Sequence, residues 1–182
     1  MNKCTSSPNS NYDVWAYVIL IVTSILIAVI PITNIKISPD AMRFGLISQQ
    51  ILSGNGIRVP IIRLEDTYVP VNGAIPFLDQ MPLIPLLFAL LGGLTPQSYM
   101  PAQLVNVVCH TAISCLTFLI MKKLSNKWLA LLTGLLVAFS YPLLWLANHI
   151  CSDSLLIALM TAAVYFLILS RSAVDSQSNW RL

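Results

Sequence analysis

Two aspartates sit where a carboxylate could do chemistry, each at a helix-start signal next to an apolar run. Asp40 lies in the stretch ISPDAMRFGLISQQILSG, directly after the apolar run Val14–Thr33. A carboxylate in the first turn of a helix is kept ionised by the free amides and the helix dipole. It can accept a proton from a hydroxyl or amine, or bind a cation. The plainer reading is an ordinary first-turn helix acid. Asp153 opens a later apolar run, with Ser152 before it and His149 four residues upstream. Acids at a membrane edge are costly unless they have a task, and the competing reading is a helix cap supplied by Ser152 or Asp153. Asp79 precedes a proline-rich helix start and reads first as a cap. His149 could pair with Asp153 or help bind a divalent metal, but without a second ligand in the sequence it reads first as structural. His110, in the middle of an apolar run, reads as a packed or hydrogen-bonded histidine. Arg43, Arg58 and Arg63 share one segment, and guanidinium suits phosphate; lipid headgroup contact or snorkelling is the rival reading.

The elements that must position these residues are membrane spans. The chain of 182 residues is 57% hydrophobic and 9% charged, with mean hydropathy +0.78. A soluble domain carries roughly 25% charged residues, so much of this apolar surface must face lipid. The fold class expected is an all-α polytopic membrane protein. A net charge of +3 gives no argument for nucleic acid. Cys4, Cys109, Cys115 and Cys151 form no CxxC pair, and neither a disulfide framework nor a zinc site is expected.

Four segments are long and apolar enough to cross: Val14–Thr33, Ala102–Met121, Trp128–Ala147 and Ser154–Leu169. The first is too long for a signal-peptide core and is followed by no A-x-A site, so it reads as an uncleaved span. Met81–Leu94 has only fourteen residues and suits an interfacial or re-entrant helix, started by Pro82 and Pro85. Lys122, Lys123 and Lys127 cluster between the second and third spans, and the positive-inside rule puts them in the cytoplasm. Lys3, Arg171 and Arg181 then lie on the same side. The resulting division is a cytoplasmic tail 1–13, a first span 14–33, an outer loop 34–101, three further spans over 102–170 and a cytoplasmic tail 171–182. The whole is read as one membrane domain. Trp15, Tyr17, Trp128 and Trp145 fall near the predicted interfaces.

An outer loop of this length is expected to carry structure or function. Ser38 can cap a helix with Pro39 at its first position. Ala41, Phe44, Ile47/Ser48, Ile51 and Leu52 recur at helical steps, with Arg43, Gln49 and Gln50 off the stripe. Gly54 closes the helix and Asn55-Gly56 marks a turn. Such a helix suits the membrane surface. A mixed polar stretch follows, including Leu64-Glu-Asp-Thr-Tyr68.

The order of these features resembles the N-terminal portion of the C-type glycosyltransferases, membrane enzymes that use lipid-linked sugars. They include the dolichyl-phosphate-mannose–protein mannosyltransferases and the lipid A aminoarabinose transferases. The resemblance runs over about residues 12–171. It is carried by SPDAMRFGLISQQILSGNG, then DQMPLIPLLFALLGGL, then the span from PAQLVNVVCH through the basic turn to SYPLLWLANHICSDSLLIAL. It departs where Ala41 follows Asp40, since mannosyltransferases often have a second acid there, and where Met81 replaces the first of a proline pair. The resemblance implies inverting sugar transfer from a polyprenyl-phosphate donor to a glycan, lipid or protein acceptor at the outer face of the plasma (inner) membrane. It makes Asp40 the base or the acid that orients the acceptor, Asp153 a second acid in the same cavity, and Arg43, Arg58, Arg63 and Asp79 the surroundings of the donor phosphate. No cofactor is firmly implied, and a divalent metal is left open. Four spans are fewer than the family carries, which implies the N-terminal part of a larger enzyme. The rival classes are a non-catalytic membrane assembly or scaffold protein, indifferent to replacement of the two acids, and a small transporter, which would need polar groups deep in the spans or inverted repeats.

Overall fold

The computed structural model describes residues 10–29, 39–64, 67–76, 82–94, 99–149 and 152–178. Among them the chain forms helix α1 (Ser10–Val29), α2 (Pro39–Leu52), strands β1 (Arg58–Leu64) and β2 (Thr67–Pro76), then α3 (Leu83–Leu90), α4 (Met100–Leu124), α5 (Lys127–Ala138), α6 (Tyr141–Asn148) and α7 (Asp153–Ser178). The helical class holds. The mixed polar stretch, to which the sequence reading assigns no element, pairs as an antiparallel hairpin from Leu64↔Thr67 out to Arg58↔Pro76, with an irregularity between Val59 and Ile61. Val, Ile, Tyr and Thr favour the strand. Pro60 and Pro70 hid its alternation, and lacking N–H groups they also suit edge strands.

Two helices, α4 and α7, are long and apolar enough to cross a membrane. The expected third span, Trp128–Ala147, is not one straight helix. It is α5 and α6, which together pass as a span and are bent by 47° at the break between them. The cause is Pro142, near the start of α6. It has no N–H to donate to the Ala138 carbonyl four residues back, and its ring crowds that oxygen. Val14–Val29 of α1 is a shorter apolar helix, and the rest of the expected first span lies outside the described residues.

α4 is the centre of the bundle, packing against α1, α5, α6 and α7 and, at its start, against α3. It connects to α5 by a tight turn in which the Asn126 side chain accepts from Leu129 N at 2.8 Å, an N-cap that satisfies one free amide of α5. Tyr12 on α1 donates to the Lys127 carbonyl, and Leu20, one face further along, packs on Gly134 of α5 and Phe118 of α4. Gly134 permits this close approach, because a Cβ there would sit 3.0 Å from Leu20 Cδ2 and 3.2 Å from Phe118 Cβ.

The helices of the long loop end alike. After α2, Gly54 N bonds Ile51 O and Asn55 N bonds Gln50 O; after α3, Gly92 N bonds Ala89 O and Gly93 N bonds Phe88 O. Both are Schellman closures, with glycine in the left-handed region. Just past the second closure, Leu94 N donates to Ser48 Oγ at 3.2 Å and Gln49 Nε2 donates to Leu94 O at 2.7 Å. The apolar stripe of α2 is real, but it packs on protein. Ala41, Phe44 and Ile47 join Ile84 and Phe88 of α3, Ala102, Val105 and Cys109 of α4 and Ala158 of α7 in one buried cluster. Leu52, expected on the stripe, is exposed, and Arg43, expected off it, is buried at 9%.

Candidate functional site

The chain brings its polar groups together along one face of α4. Asn106, His110 and Ser114 are spaced by four, which puts them one above another on a helix, and all are buried. Asn106 and His110 each answer groups on a neighbouring element. His110 Nε2 lies 3.2 Å from Ala138 O, the carbonyl that Pro142 leaves without its usual helical donor. A carbonyl only accepts, so Nε2 carries the proton and Nδ1 keeps a lone pair. Asn106 Nδ2 donates to His149 O at 2.8 Å and to Ala147 O at 3.3 Å, at the end of α6. Asn106 Oδ1 accepts from Ser154 Oγ at 2.8 Å. One side chain therefore ties the end of α6 to the first turn of α7. Ser114 Oγ donates back to His110 O.

Asp153 is the residue this tie positions. It is the first residue of α7, exposed beside buried Ser154. Asp40 is the second residue of α2, and its side chain lies outside the described residues. Its neighbour Ala41 belongs to the cluster that includes Ala102, Val105 and Ala158. The first turn of α7 is thus anchored to the first half of α4, while α2 packs on α3 and β1 and shares one buried cluster with that half of α4. Lys122 and Lys123 lie in the last turn of that helix.

The other expected residues are more scattered in their settings. Arg58 is exposed at the start of β1, and β1 packs beside α2. Arg43 is within the packed face of α2 and is not a surface cation. Arg63 is in β1, its side chain outside the described residues, as is Asp79 altogether. His149 stacks on Trp145 with ring centroids 3.9 Å apart, and its Nδ1 lies 2.7 Å from Trp145 O. Among the described residues no group of three or more His, Cys, Asp or Glu side chains could hold a metal ion. At the start of α6, Tyr141, Pro142, Trp145 and Leu146 line an open apolar groove of about 430 Å³.

Asn106 and Ser154 were not singled out from the sequence, although the spacing of Asn106, His110 and Ser114 was there to be read. Compared with known protein families, curated proteins and solved structures, the chain matches none.

Proposed function

We propose that this chain is part of a membrane-embedded glycosyltransferase that moves a sugar from a polyprenyl-phosphate carrier to an acceptor at the outer membrane face. The observation that supports the reading most is that the first turn of α7, with Asp153, is tied to the first half of α4, and the first turn of α2, with Asp40 beside buried Ala41, belongs to the buried cluster that includes the same half of α4. The lysines of the α4–α5 turn are at the other end of that helix, so both acids fall on the outer side under the positive-inside rule.

In this reading Asp40 takes the proton of the acceptor hydroxyl or amine as it attacks the anomeric carbon. Asp153 holds the acceptor. The carrier phosphate leaves as an anion, and Arg58, exposed near α2, is the described cation suited to receive it. The buried Arg43 contributes to holding α2 rather than to a surface phosphate site. The carrier is drawn from the surrounding bilayer lipids.

The test is sugar transfer in membranes holding the complete protein, with Asp40→Asn and Asp153→Asn compared at equal abundance. Loss of general-base action lowers transfer on the order of 10²-fold or more for Asp40→Asn. Unchanged transfer in both variants overturns the reading and favours a non-catalytic assembly protein.

A further inference from the structure

Two buried polar atoms in the spans, Ser24 Oγ and His110 Nδ1, have no hydrogen-bond partner. Their residues are 0% and 2% exposed. The helix registers bring them to one level. α1 runs parallel to α5, since Tyr12 meets Lys127 and Leu20 meets Gly134. α4 runs the other way, with Phe118 beside the same Leu20. One turn onward, about 6 Å, Leu20 becomes Ser24, Gly134 becomes Ala138 and Phe118 becomes Ser114. Ser24, Ser114 and Ala138 are all 0% exposed. His110 joins this layer through its bond to Ala138 O.

Ser24 differs from its counterparts. Thr111, Thr117, Thr133 and Thr161 each return their hydroxyl to the carbonyl four residues back at 2.8 Å, and Ser114 does so at 3.2 Å. Ser24 Oγ makes no such bond. A buried hydroxyl and a buried imidazole lone pair left unanswered each carry an unrepaid desolvation cost.

We infer that the layer at the α5–α6 break is a binding site for a single water molecule, held between Ser24 Oγ and His110 Nδ1. The water donates one hydrogen to the Nδ1 lone pair and accepts from the Ser24 hydroxyl. Its second hydrogen can go to Ser114 Oγ, which donates to His110 O and still has lone pairs to offer. Buried polar groups of this kind are commonly joined by water with two to four partners. A cation is disfavoured, because no Asp or Glu occurs in Val14–Val29, α4, α5 or α6, and an unpaired charge in the bilayer is expensive. An apolar occupant would answer neither atom. The inference does not depend on the reaction proposed above.

The experiment is water-edited magnetic resonance on the full chain in lipid nanodiscs, with the histidine rings labelled with ¹⁵N. The expected result is magnetisation transfer from water to the His110 ring in the native protein. Transfer should persist in Ser24→Thr, which keeps the hydroxyl, and be lost in Ser24→Val, which fills the space without one. No transfer to His110 in the native protein overturns the inference, as does a Ser24 hydroxyl found bonded to the Leu20 carbonyl. The native-protein measurement stands whether or not Ser24→Val folds.

Discussion

α4 and the α5–α6 pair are two stretches of similar length and similarly apolar composition, and they solve the membrane problem in opposite ways. α4 is continuous over 25 residues, so its backbone satisfies itself, and its side chains are free to carry polar atoms inward. α5–α6 is broken at Ser140-Tyr-Pro142 and exposes backbone carbonyls that lipid cannot answer. The unbroken helix supplies the missing donors: His110 to Ala138 O at the break, Asn106 to Ala147 O and His149 O at the end of α6. A buried polar residue in a span need not mark a substrate path. Here it offsets a defect in the neighbouring helix, and in doing so it fixes the turn that carries Asp153.

Three experiments break or sharpen this contrast. The largest effect is expected where the two elements touch most closely. Gly134→Val places branched carbon against Leu20 and Phe118 and should cost about 3 kcal/mol by overpacking, read as a lowered unfolding midpoint in mild detergent. A near-neutral result would mean that α1 and α4 can step back from α5. Next comes Asn106→Leu, which strands two carbonyls and the Ser154 hydroxyl. Hydrogen bonds inside membranes average about 0.6 kcal/mol each, so three lost bonds predict a cost of about 2 kcal/mol. Protease cleavage between His149 and Asp153 should rise with it, and unchanged cleavage would remove Asn106 as the anchor of the start of α7. The smallest effect is the most telling. Pro142→Ala restores an N–H that can bond Ala138 O, which makes His110 redundant there. His110→Leu should therefore cost about 0.6 kcal/mol less in the Pro142→Ala background than in the native chain. Strict additivity in that double-mutant cycle would show that His110 does not serve the break.

The same contrast shows what was legible in the residues. The proline within Trp128–Ala147 is a helix breaker by chemistry, yet the apolar run around it reads as one span. Asn106, His110 and Ser114 are periodic in the string itself, but periodicity names a face and not its partner. The loop helices were more readable. Pro39 at the first position, Gly54 at the close of α2 and the glycines after Leu91 each act through their own backbone geometry, and the structure has them where that geometry requires. The hairpin was hidden because prolines and charges interrupt its alternation.

α2 marks the boundary between the two sources of information. Its apolar stripe was visible, and a surface position on the membrane was the natural expectation. The structure instead packs α2 on α3 and β1, draws Ala41, Phe44 and Ile47 into one buried cluster with residues of α3, α4 and α7, binds Ser48 and Gln49 to Leu94, and takes Arg43 into the packed face. The sequence determined the membrane class, the helix starts and stops and the acids at two first turns, because those follow from composition and from local dihedral and capping preferences. Only the tertiary structure decided what covers each face and which donor meets each stranded carbonyl. A hydrocarbon stripe is satisfied equally by lipid or by another helix, and a polar atom by any partner the fold brings within reach.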